Sequence, residues 1–200
     1  MSGNKQSVFT IVGVSTFLVV AFIHLVNWDT HSIAIIPLKT GQILGMSSTE
    51  SLRKISQICT ERLKYACAEE ALSEVVRSTE SGDDYFNLAT LQRKLGHHKL
   101  AIANYNNSLV IENKSSEPST TKLSDIYFGL ARSYDALGDS EAASRSYAQA
   151  IEAKPNVIQI TVTESYIAFL KKQNNLELAK KVVNEARKRG NSDRLFAGIL

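Results

Sequence analysis

Two stretches of this chain, Tyr85 to Asn113 and Tyr127 to Pro155, repeat one spacing of aromatic, small and glycine residues, and that shared register restricts the possible folds severely. Each opens on an aromatic and passes through Leu88-Ala89 or Leu130-Ala131 to a glycine, Gly96 or Gly138. An alanine follows at Ala101 or Ala143, then a tyrosine at Tyr105 or Tyr147. The second stretch adds Tyr134, Ala150 and Pro155, the last of which ends its second helix. Each glycine falls where a first helix must stop and reverse, a turn that a residue tolerant of positive φ makes at least cost. Paired alanines let the two helices approach closely, and the aromatics fill the gap to the next pair.

This spacing resembles the pattern W-x2-L-G-x2-Y…A-x3-F…P of the tetratricopeptide repeat, closely in the second copy and more loosely in the first. The resemblance implies an all-α solenoid of helical hairpins. It continues in weaker form downstream through Tyr166, Ile167, Leu170, Ala179, Val183 and Ala186, with Asn174-Asn175 in place of the turn glycine. Upstream, Leu52, Ile55, Cys59, Ala68, Leu72 and Val75 keep the apolar spacing without glycine or large aromatics. About four hairpins are therefore expected over residues 49–200. Tyr85 and Tyr127 stand 42 residues apart, against a family period of about 34. The excess falls in the polar stretch 112–123, which reads as a loop bulging from the solenoid.

The stretch Val8 to Trp28 carries no Asp, Glu, Lys or Arg. As a helix it is about 30 Å long, the hydrocarbon thickness of a bilayer. A cleavable signal peptide competes with this reading. The run exceeds the usual apolar core of roughly 7 to 15 residues and no small-x-small cleavage site follows it, so an uncleaved single-pass anchor is favoured. Trp28 suits the interfacial belt. Before the span stand the terminal amine and Lys5, and after it no basic residue precedes Lys39. The positive-inside rule then puts residues 1–7 in the cytoplasm and the repeats beyond the membrane. The short tail and single anchor point to a bacterial inner membrane with the repeats in the periplasm. Two sequons, Asn106-Asn107-Ser108 and Asn113-Lys114-Ser115, matter only in a secretory pathway. Residues 29–48 form a tether with an apolar run at Ile33 to Leu38, read as a connector at the membrane surface or a docking segment.

Net charge is +3, from 23 basic and 20 acidic residues, with no clustered basic face or nucleic-acid recognition motif, which argues against nucleic-acid binding. Cys59 and Cys67 sit symmetrically about Leu63, where the first hairpin should turn. On antiparallel helices they face each other, and two readings stand: a disulfide stapling the weakest repeat, or two small buried thiols. Their spacing, with no histidine nearby, is not a zinc signature. His97-His98 reads as an exposed pair at a turn, and the glutamates Glu69, Glu70 and Glu74 as solvated surface. With no phosphate loop, dinucleotide fingerprint or nucleophile elbow, we expect no catalytic residue, metal, cofactor or small-molecule substrate.

Binding is what remains. In the family this chain resembles, the first helices of successive hairpins line a concave groove holding a peptide or partner helix. The matching positions here are Phe86, Thr90, Arg93 and Lys94, then Phe128, Arg132 and Asp135, then Lys171 and Lys172. Two phenylalanines among several cations fit an apolar, acidic segment, whereas the same residues also fit inter-repeat packing and solvated surface. The asparagines of a carboxylate clamp are missing, since Thr90, Arg132 and Ala168 stand at the matching places. The expected role is a membrane-anchored adaptor or scaffold that binds protein partners during assembly of a cell-envelope complex. A fixed structural subunit of a membrane or secretion machine, or a periplasmic chaperone accessory, is the alternative.

Overall fold

The structure, a computed structural model, describes residues 40–41, 47–154 and 159–190. From Thr49 onward these residues form eight helices: α1 Thr49–Glu61, α2 Tyr65–Ser78, α3 Gly82–Lys94, α4 His98–Asn113, α5 Thr120–Leu137, α6 Ser140–Glu152, α7 Ile160–Lys172 and α8 Leu176–Gly190. No strand occurs among the described residues. Helices adjacent in sequence pack on one another, and α3 also touches α5, so the eight stack as four hairpins. Among the described residues no helix is long and apolar enough to cross a membrane. The expected anchor 8–28 lies outside the described residues, as do most of the tether and Pro155.

Local chemistry starts three of the four first helices and stops all four. Ser48, Ser81 and Ser119 accept a hydrogen bond from a backbone N–H of the first turn of α1, α3 and α5, satisfying one of the donors that a helix start leaves open. All four hairpins turn by the same motif. The N–H groups of Lys64, His97, Asp139 and Asn175 donate to the carbonyls of Cys59, Gln92, Tyr134 and Leu170 at 2.8–3.0 Å. The residue before each donor lies in the left-handed region: Leu63 at φ 58°, Gly96 at 81°, Gly138 at 78° and Asn174 at 56°. This is the helix-ending arrangement in which a glycine or asparagine costs least. Gly96, Gly138, Asn174 and Leu63 all lie at the expected turns, and Leu63 is the one of the four that is neither glycine nor asparagine.

Burial follows the repeat register. Ala89, Ala101, Ala131 and Ala143 are wholly buried at the close helix contacts, and Tyr105 and Tyr147 are buried between hairpins. Tyr147 packs against Tyr166 with ring centroids 5.2 Å apart and against Phe169 at 5.5 Å, which carries the core from the third hairpin into the fourth. Two buried serines make matching bonds: Ser108 Oγ donates to the Gly82 carbonyl at 2.8 Å and Ser124 Oγ to the Ala150 carbonyl at 2.9 Å.

The extra residues between the two clear copies do not form the expected bulge over 112–123. Helices α4 and α5, of 16 and 18 residues, absorb most of them, and only 114–119 run outside a helix. Glu112 is buried rather than exposed. Its carboxylate accepts from the Ser119 N–H at 2.6 Å and pairs with Lys122 at 3.1 Å, while Lys122 also reaches Asp83 at 2.8 Å. The short connection is thereby pinned to the solenoid.

Candidate functional site

The first helices α1 and α3 face each other across a cavity of about 430 Å³. Helix α1 contributes Arg53, Gln57 and Glu61, spaced four apart and therefore on one face, and α3 contributes Phe86, Thr90 and Lys94 by the same spacing. Three residues expected in the groove are thus brought together. Phe86 is half-buried, with its ring 5.8 Å from that of Tyr105 on α4, so it packs within its own hairpin while it lines the cavity. The Thr90 hydroxyl is 3.1 Å from that of Tyr105. Lys94 is exposed, and its ammonium sits 4.6 Å from the centre of the Tyr65 ring on α2, an attraction between a cation and an aromatic face.

Arg53 and Asp84 join the two walls. The guanidinium donates through Nε and Nη2 to the two carboxylate oxygens at 3.0 and 2.8 Å, and the Thr79 hydroxyl donates at 3.2 Å. Hydrogen bonding to Arg53 holds the Asp84 carboxyl below its ordinary range, against the opposing effect of its burial. Arg53, Gln57 and Glu61 were missed in the sequence because the first hairpin lacks the turn glycine and aromatics. Their four-residue spacing on the polar face of α1 was the available signal.

The remaining groove candidates lie farther along the solenoid. Phe128 on α5 packs on Tyr147 with centroids 6.1 Å apart, and exposed Arg132 places its guanidinium 5.7 Å from the Phe128 ring centre. Asp135 pairs with Lys172 of α7 at 2.9 Å, which neutralises two of the charges expected to face a ligand. Burial pushes the Tyr147 hydroxyl up to about 12; Asp135 adds to the rise, and Arg132 and Arg93 oppose it. Charged groups of α3 and α5 thus act on one buried ring. Lys171 is exposed at the end of α7. Phe128 and Arg132 form a second apolar and cationic patch outside the α1–α3 cavity, and each phenylalanine proves half packing element, half surface.

Cys59 and Cys67 are joined by a disulfide across the α1–α2 turn, with Cα atoms 5.9 Å apart. His97 is not a free turn residue, since its Nδ1 lies 3.3 Å from a Glu69 carboxylate oxygen of α2. Among the described residues no group of three or more His, Cys, Asp or Glu is arranged to hold a metal ion. A second cavity, of about 290 Å³, lies between α6 and α8 and contains none of the expected groove residues.

Residues 84–156 match the model of the tetratricopeptide repeat family. Among solved structures, a crystal structure of MamA superposes with a TM-score of 0.67 at 20% identity, covering 79% of this chain and 81% of that one. MamA (41-end) from Desulfovibrio magneticus RS-1 reaches a TM-score of 0.66 at 12% identity, covering 97% of this chain and 99% of its own. YrrB, described as a TPR protein with an unusual peptide-binding site, gives 0.64 at 17% identity over 88% of this chain and 86% of its own. At these identities the likeness bears on the fold. No curated protein sequence matches the chain.

Proposed function

We propose that this chain, whose residues 84–156 match the tetratricopeptide repeat family, is a membrane-anchored adaptor whose concave face holds a segment of a protein partner. The carrying observation is the α1–α3 cavity, where an aromatic ring, a hydroxyl and an exposed ammonium from successive turns of α3 line one wall. An extended or helical segment presents side chains at comparable intervals, so Phe86 suits an apolar group and Lys94 an acidic one. Phe128 with Arg132 offers the same pairing one hairpin on, and the two patches suit a segment that is both apolar and acidic. The peptide site named for YrrB supports this use of the fold. Assembly of a cell-envelope complex with the repeats in the periplasm is the setting favoured by the uncharged span 8–28 and the position of Lys5.

The test compares binding with folding. Full-length protein carrying Lys94→Glu and Arg132→Glu should keep its helicity and lose little in melting temperature, because both side chains are exposed and each gives up only a surface contact between a cation and a ring. Affinity for a partner copurified from native membranes should fall at least about tenfold, or roughly 1.4 kcal/mol. Undiminished affinity in the folded double variant would exclude the concave face as the binding site.

A further inference from the structure

We propose that the Cys59–Cys67 disulfide sets the shape of the α1–α3 cavity, so that its reduction loosens one cavity wall and makes the concave face redox-sensitive. The binding consequence rests on the groove reading above; the structural coupling does not.

Three observations converge on this turn. First, it is the poorest of the four by local chemistry. Leu63 holds a positive φ of 58° with its side chain 71% exposed, so it gains little packing in return for the strained backbone. The following helix α2 starts at Lys64 with no side-chain cap. The disulfide is the compensating constraint at the one turn with neither glycine nor asparagine in the left-handed position.

Second, the bond is part of the cavity wall's support. Thr60 and Glu61, immediately after Cys59, line the cavity from the last turn of α1. Third, Cys67 stands on α2 between two residues that hold the far wall. Tyr65 lies under the Lys94 ammonium at 4.6 Å, and Glu69 reaches His97 at 3.3 Å. The disulfide therefore connects the end of α1 to the α2 turn that positions the α3–α4 corner.

Reduction requires a dithiol reductant and proceeds by exchange. Its thiolate attacks Cys67 Sγ, the less buried sulfur, and Cys59 leaves as a thiolate and takes a proton. The reductant's second thiolate then displaces Cys67, which is protonated in turn. Two electrons and two protons reach the protein, and the reductant leaves as its own disulfide.

The measurement is amide hydrogen exchange on the full-length protein, oxidised and after dithiothreitol. Reduction should speed exchange at least about tenfold over residues 59–69, with a smaller rise over 93–98 and none in α5 to α8. The Cys59→Ser/Cys67→Ser variant should match the reduced protein and ignore dithiothreitol. Should that variant fail to fold, Leu63→Gly gives an independent arm: with the left-handed turn relieved, reduced protein should recover part of the lost protection. Unchanged exchange over 59–69 and 93–98 on reduction, or no recovery with Leu63→Gly, would overturn the proposal. Any partner held by the oxidised chain should be released on reduction in parallel. If the oxidised chain holds no partner, the groove reading fails, and the exchange result still decides this one.

Discussion

Gly129 meets the buried ring of Tyr105 where the second and third hairpins pack. A Cβ at this position would lie 2.3 Å from Tyr105 Cζ, and the ring is itself enclosed, so an added methyl forces a shift in the core. Gly138 is the opposite case, because a Cβ there meets nothing within 4 Å and only its φ of 78° resists a side chain. Gly129→Ala should therefore lower stability by about 1–3 kcal/mol through overpacking, and Gly138→Ala by about 1 kcal/mol through backbone strain. Thermal unfolding of the two variants checks the order. The turn glycine was legible from its place between two apolar runs. The packing glycine was not, since the ring that excludes a side chain sits 24 residues earlier in the chain and meets it only after folding.

Among the elements, α1 and α3 show how a degenerate hairpin is held to a regular one. The buried Asp84 carboxylate and Arg53 span the two first helices where small residues and aromatics do the work elsewhere. The sign of the pH dependence follows from the lowered pKa of Asp84. Its contribution is fully present above the ordinary carboxylate value of 3.8 and disappears as pH falls through the folded value below it. Asp84→Asn should accordingly destabilise the protein at neutral pH, and the gap from the parent should close in acid below about pH 4. Denaturant melts across that range test the clasp. A gap that persisted unchanged into strong acid would show that packing, not charge, accounts for it. The register of α1 was readable from Leu52, Ile55 and Cys59, but its polar face read as surface because the partner of Arg53 lies 31 residues away.

For the molecule as a whole, the repeat domain is a stack of four hairpins, and its attachment to a bilayer is the remaining part of the proposed function. The uncharged span 8–28, of hydrocarbon length, should keep the full chain in the membrane pellet at alkaline pH. Recovery in the soluble fraction with an N-terminus near Asp29 would replace the anchor with a cleaved leader. Hairpins, their turn positions and their close alanine contacts could be read in advance because each depends on residues within one repeat of each other. The spacing of apolar and small residues carries that information locally. The burial of Glu112, the Arg53–Asp84 clasp and the cavity between α1 and α3 were settled only when hairpins stacked. Each depends on a partner from another hairpin, which leaves no periodic trace in the chain. A helical repeat thus declares its path through short-range pattern, while the chemistry of its concave face is decided by which side chains the stacking brings opposite one another.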